Sequence, residues 1–208
     1  METKTYDKQT AKFIAILVEN MPKISADTMQ GWIENPVELK KILTEVFFPS
    51  QKFEIWKIIR IGVFHNVYAI RNAIEQAGMK IGNYANDILG KIDLAPSETN
   101  INLVVLSVAD LGLKDGTKYE EICERAKEIG LELCPAEVGP CLRSQYKNQP
   151  NGEVIIAMEP VADSDGDLKL FGVVREGNDD CWLYSYYAYS DRFWNSDCRF
   201  VFVLPQVK

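Results

Sequence analysis

Apolar positions change their period along the chain, and the changes mark its elements. Phe13, Ile14, Ile16, Leu17 and Val18 recur at helical spacing and predict a first helix over residues 8–20, stopped near Pro22. Ser25 is placed to cap a second, short helix that buries Met29, Trp32 and Ile33. In Asn35-Pro36-Val37-Glu38, Pro36 suits the first helical position and Glu38 completes a capping box with Asn35. Leu39, Ile42, Leu43, Val46 and Phe47 then form one stripe, which Pro49 closes. Residues 53–61 are rich in isoleucine and predict a strand. Residues 66–77 predict an amphipathic helix ended by Gly78, and residues 83–89 a short helix ended by Gly90.

Composition shifts at 95–100, Ala-Pro-Ser-Glu-Thr-Asn, which reads as a linker or long loop. A nearly continuous apolar run over 101–108 follows and predicts a buried strand. Gly112 to Gly116 turns the chain, and Thr117 with Glu120 forms a capping box for a helix ending at Gly130. A second helix is expected over 135–147. Four short β-rich runs, 154–158, 168–174, 182–187 and 199–204, are separated by Asp, Gly and Asn turns. The expected class is α+β, with a mainly helical N-terminal region over 1–95 and a second domain over 96–208. The runs 101–108 and 199–204 are both apolar enough to be central and are expected as neighbours in one sheet.

The chain has 208 residues and a net charge of −7. A phosphate-backbone binder needs a surplus of cations, so no nucleic acid and no anionic membrane surface is expected as partner. His65 is the only histidine, which removes chemistry that needs two; it reads as a packed or capping side chain. Five cysteines, no signal-peptide pattern and no C-x-x-C spacing predict reduced thiols in a cytoplasmic protein. The glycines of Gly78-Met-Lys-Ile-Gly82 lack the Gly-Lys-Ser/Thr ending of a phosphate loop. Asp163-Ser-Asp165-Gly-Asp167 has the alternating carboxylates that wrap calcium, yet no bidentate Glu follows, and Asp-Gly is common turn chemistry. A turn is expected, with no metal and no cofactor.

The segment 182–200 is the informative one. It is dominated by Tyr, Ser, Asp, Asn and Arg, and contains no Lys, Glu, Gln or Met. Tyrosine supplies large, rigid contact area, and serine and asparagine adapt their hydrogen bonds, as in antibody contact loops. On this reading Trp182 and Trp194 are buried scaffold. The ligand-binding candidates are Tyr184, Ser185, Tyr186, Tyr187, Tyr189, Ser190, Asp191, Arg192, Asn195 and Asp197. At least half of Tyr184, Tyr186, Tyr187 and Tyr189 should then expose their hydroxyls. The competing reading is an aromatic hairpin whose tyrosines alternate between core and solvent.

The order from 101 onward is strand, capped helix, Gly-Leu-Glu-Leu-Cys-Pro-Ala-Glu, second helix, Ile-Ile-Ala-Met, an Asp-Ser-Asp-Gly turn, then short strands ending in Trp194…Arg199-Phe200-Val201-Phe202-Val203. It resembles C-type-lectin-like domains, the fold shared by formylglycine-generating enzymes and by the variable proteins of diversity-generating retroelements. Residues 53–60 and 86–91, with Cys134-Pro135-Ala136-Glu137-Val138-Gly139-Pro140, also resemble a family of uncharacterised bacterial proteins that covers most of the chain. The lectin-like resemblance implies two helices before short, mostly antiparallel strands, and a binding surface for a protein or other macromolecular ligand. Mutagenesis directed at adenines of Asn codons can yield Tyr, Ser, Asp, Asn, Arg, Cys, Ala or Phe but never Lys, Glu, Gln, Met or Trp, which fits the 182–200 composition of a diversified surface around an invariant Trp182 and Trp194. It implies no catalysis. The alternatives are a formylglycine-generating-like oxidase using Cys181 and Cys198, expected to face each other on neighbouring strands, and a structural or interaction protein of a mobile element. The N-terminal helices are expected to support the binding domain or to form a homo-oligomer.

Overall fold

The computed structural model describes residues 8–47, 53–177 and 180–205. The chain divides into two compact units, Met1–Ser50 and Gln51–Lys208. The division therefore falls at Ser50, before the 95–100 segment that the composition shift marks.

The first unit holds α1 (Lys8–Glu19), α2 (Ala26–Glu34) and α3 (Pro36–Phe47). Ser25 caps α2, its hydroxyl accepting from the Thr28 N–H at 3.1 Å. The expected burial on α2 is not met: neither α1 nor α2 buries a residue, and Met29 and Ile33 are exposed. A stripe on a helix of about ten residues needs a facing surface to be buried, and periodicity alone does not supply one. The side chains of Val46 and Phe47, and Pro49 with them, lie outside the described residues.

The second unit is α+β, built on one curled mixed sheet. Its long strands are β1 (Lys57–Ile61), β3 (Thr99–Ser107), β5 (Gly152–Ile156), β7 (Leu168–Glu176), β8 (Asp180–Tyr187) and β10 (Arg199–Val203). The two-residue strands are β2 (Lys80–Ile81), β4 (Thr117–Lys118), β6 (Val161–Ala162) and β9 (Phe193–Trp194). The sheet order is β1-β3-β10-β5-β7-β8-β2, with β6 on β7, while β4 and β9 pair apart. The C-terminal β10 lies antiparallel to β3 through Phe200↔Leu106 and Phe202↔Val104, as the two apolar runs predict. On its other side it runs parallel to β5.

Helices α4 (Val67–Gln76), α5 (Asn83–Leu89) and α7 (Val138–Gln145) cover one face. Asn66 caps α4 by accepting from the Ala69 N–H, and Gly78 turns out of it at φ +75°, a conformation that costs glycine little. Gly139 of α7 meets Phe171 of β7 so closely that a Cβ there would sit 2.7 Å from the Phe171 side chain. The other face carries α6 (Tyr119–Glu128), whose Tyr119 ring packs on Phe200 with centroids 6.0 Å apart. The α6 start differs from the Thr117–Glu120 box. Thr117 belongs to β4 and donates to the Lys114 carbonyl, and Glu121 accepts from the Lys118 N–H. The helix expected over 135–147 begins only at Val138, because residue 134 bridges to Met158 and the buried Glu137 is used elsewhere. Glu137 accepts from the Gly62 N–H at 2.8 Å and from the Ala95 N–H at 2.7 Å. That clamp ties the 95–100 segment into the second unit.

Among the described residues no helix is long and apolar enough to cross a membrane.

Candidate functional site

Strand β8 sends alternate side chains to opposite faces. Cys181, Leu183, Ser185 and Tyr187 stand opposite Arg175, Val173, Phe171 and Lys169 of β7, on the face covered by α5 and α7. Trp182, Tyr184 and Tyr186 lie on the other face with Val174, Gly172 and Leu170. The candidate residues of this strand thus do not share one surface.

On the α6 face an aromatic ladder runs from solvent to core. Tyr184 meets Tyr186 at 5.6 Å, Tyr186 meets Trp194 at 6.3 Å, and Trp194 meets Phe200 at 5.1 Å, all edge-on. Edge-to-face contacts of this kind add to the stabilisation from area burial alone. Trp194 is buried, at 2% exposure, whereas Trp182 is only half-buried. Tyr186 donates its hydroxyl to Glu153, and burial together with that carboxylate raises its pKa. Arg192 stacks on Trp194, its guanidinium carbon 4.3 Å from the ring centroid. Tyr184 ends the ladder at 49% exposure.

On the opposite face Tyr187 does a different job. The buried Lys169 ammonium sits 3.0 Å from its ring centroid and 4.3 Å from that of Tyr84. The same ammonium is 3.4 Å from Asp163 Oδ2, and both side chains are almost wholly out of solvent. Asp163 Oδ1 accepts from the N–H groups of Asp165 and Asp167. The 163–167 segment is therefore a turn closed on a lysine. Among the described residues no group of three or more His, Cys, Asp or Glu side chains is gathered as a metal centre needs. Tyr189 stacks on Tyr187 at 5.0 Å, and the neighbouring Asp167 carboxylate raises its pKa.

The exposed turn after β8 brings Tyr189, Ser190 and Asp191 to a cleft of 680 Å³ against α6. Its floor includes Tyr119, Cys123, Met158, Leu168 and Ala188. The Tyr119 hydroxyl donates to the Met158 carbonyl at 2.7 Å and accepts from its N–H at 2.8 Å, which fixes the floor. Burial pushes the Cys123 thiol up to about 11, which favours its protonated form at neutral pH. Glu120, Glu124, Lys127, Glu159 and Asp191 stand around the mouth. Sequence reasoning reached the 189–191 side of this cleft but missed the α6 side. The spacing of Glu120, Glu124 and Lys127 on one helix face was the available signal.

The remaining candidates lie apart from the cleft lining. Asn195 and Asp197 are exposed in the turn between β9 and β10, which is held by the Ser196 N–H donating to Asp115. His65 is exposed, and capping falls to its neighbour Asn66. Cys181 and Cys198 do not face each other on neighbouring strands: β7 and β5 stand between β8 and β10. Both are free thiols, as are Cys123, Cys134 and Cys141. Burial raises the pKa of Cys198 and, more strongly, those of Cys134 and Cys141.

Comparison with known protein families, with curated proteins and with solved structures finds no match to this chain.

Proposed function

We propose that the chain is a binding protein that presents a Tyr/Ser-rich, sequence-variable surface on a C-type-lectin-like scaffold. The observation that carries this reading is the ladder Tyr184–Tyr186–Trp194–Phe200. A ring fixed at its inner end and wet at its outer end gives contact area with little entropy left to lose. Tyr184, at the wet end of the ladder, and Tyr189, Ser190 and Asp191, in the exposed turn after β8, can change identity without opening the core. Two features support the scaffold: α6 and α7 precede the strand run, and β10 returns to pair with β3. No chemistry is required of the surface, and the partner is a protein or other macromolecule in the cytoplasm. The oxidase alternative loses support from the separation of Cys181 and Cys198.

Exposed Phe13, Ile16 and Val18 on α1 support self-association through the N-terminal helices, since helices of this length are marginal alone in water.

The test is a Tyr184→Ser/Tyr189→Ser variant. It should melt like the parent and fail to retain a partner that the parent retains from host lysate. Retention by both proteins would move the binding surface elsewhere. Diversification has its own test, a search of the flanking DNA. A near-repeat of the 3′ end of the gene, differing only at adenines and close to a reverse transcriptase, is the expected finding.

A further inference from the structure

The cleft beside the 189–191 turn has an apolar floor and an acidic mouth. Glu120 and Glu124 come from α6, Glu159 from the segment after β5, and Asp191 from the turn after β8. Glu120, Glu124, Glu159 and Asp191 are all exposed, and among the described residues none makes an ion pair or a side-chain hydrogen bond. Among the described residues that line the mouth the one cation is Lys127, one turn beyond Glu124 on the same face of α6 and not in an ion pair with it. Like charges brought together without partners repel, so this arrangement costs stability that a cationic ligand would return. The field of the whole chain, at −7, steers in the same direction.

The chemistry selects further. Carboxylates drawn from three separate segments suit several cations spaced along a chain better than one compact ammonium. The floor of Leu168, Met158 and Ala188, with the Tyr189 ring beside it, suits the aliphatic stems of long basic side chains. A volume of 680 Å³ lies within the range of specific ligand sites.

We propose that this cleft receives a basic peptide segment of a partner protein. Its lysine or arginine heads pair with Glu120, Glu124, Glu159 and Asp191, and its stems lie on the Leu168–Tyr189 side of the floor. The inference rests on reading the chain as a binding protein and adds the chemistry of the partner.

The probe is a dye-labelled Lys-Leu-Lys-Leu-Lys peptide, followed by fluorescence anisotropy on the full chain. Three proteins are compared: the parent, Glu124→Gln/Glu159→Gln, and the charge-matched control Glu54→Gln/Glu75→Gln, whose sites lie outside the cleft. All four glutamates are exposed, so the three melts should coincide. The expected result is binding about tenfold weaker in the cleft variant and within about twofold of the parent in the control, with the difference narrowing as salt rises. Equal weakening in both variants would mean attraction to net charge alone and would overturn the proposal. So would the absence of peptide binding to the parent, or complete displacement by spermidine at the concentration of peptide itself. If the cleft variant keeps a partner that Tyr184→Ser/Tyr189→Ser loses, the cleft inference fails while the binding reading stands.

Discussion

Tyr186 leans across the β7–β8 ladder onto Gly172, so closely that a Cβ on Gly172 would sit 2.3 Å from the ring. Gly172 is in register with Tyr184, and Tyr186 reaches it on the diagonal. A glycine in the middle of a long strand usually weakens it, but here its missing side chain is the seat of an aromatic one. The consequence is a division of labour between two tyrosines on one face: Tyr186 is committed to the core, and Tyr184 is not.

Gly172→Ala should displace the ring and cost about 1–3 kcal/mol, as overpacking does in other cores. The φ of Gly172 is not in the left-handed region, so the penalty would be steric. A urea midpoint equal to that of the parent would show that the ring has room to move.

The alternation of core and solvent along β8 was legible in the period-2 pattern, but which tyrosine is anchored was not. Tyr184 and Tyr186 have the same parity, and only a glycine on another strand separates them. Capped helices were legible because Asn66 with Gly78, and Gly90 after Leu89, carry their stop and start signals locally. The β3–β10 pairing was legible because both runs are apolar on both faces. The two-residue strands β2, β4, β6 and β9 were not, since each exists only through its partner. The 95–100 segment has linker composition and is still fixed, by a carboxylate that belongs to Glu137. Of the candidate site, one wall was readable as a composition bias, while the α6 wall needed the fold to bring Glu120 and Glu124 opposite it.

The tyrosines should separate in one melting experiment. Tyr184→Ser/Tyr189→Ser removes rings that are 49% and 37% exposed and should change stability by less than about 1 kcal/mol. Tyr186→Ser breaks contacts with Trp194 and Glu153 and should cost about 2–4 kcal/mol. Replacing all four tyrosines together should therefore not spare the fold. A four-tyrosine variant that melts like the parent would contradict this packing.

Acid should destabilise the second unit in a narrow window. Hydrogen bonds from Ser164 hold the Asp87 carboxyl below its ordinary value; Ser107 does the same for Asp110 and Ser196 for Asp115. A carboxyl depressed in the folded state contributes stability that is fully present above its unfolded pKa, about 3.9, and is lost as pH falls through the folded values. Urea midpoints should be flat from pH 7 to about 5 and fall below about 4. Asp115→Asn should lower the plateau and shrink the acid loss. At the alkaline end the sign reverses. Cys123, raised to about 11, contributes stability that is lost as pH climbs from the ordinary thiol range through that value.

Glu137→Gln should cost about 1–3 kcal/mol, because one carboxylate now serves two distant backbone donors. An amide oxygen can replace one acceptor, and the amide nitrogen set against the other N–H cannot. Hydrogen exchange reads this directly: the Gly62 or Ala95 amide should lose protection first. Unchanged protection at both would remove Glu137 from its role as a clamp.

Lys169 sets its own ammonium beside the carboxylate of Asp163, where a bound cation would otherwise sit. The Asp-Ser-Asp-Gly-Asp turn offers carboxylates at alternate positions, yet Asp163 already spends Oδ1 on the Asp165 and Asp167 N–H groups and turns Oδ2 to the lysine at 3.4 Å. The ammonium is buried and lies against the faces of Tyr187 and Tyr84, which favour a cation. The turn thus carries its own positive charge on the neighbouring strand. Lys169→Met keeps the length of the side chain and removes the charge, leaving the buried Asp163 carboxylate without its counter-charge; Tm should fall by about 10 °C. Adding Asp163→Asn to that variant should restore part of the loss, since no uncompensated charge then remains in the core. Calcium in excess and a chelator should give the parent the same Tm, because only a ligand that binds the folded state raises it. A rise of several degrees with calcium that disappears in Asp165→Ala would show a metal site in the turn, and Lys169 would then be its neighbour rather than its substitute.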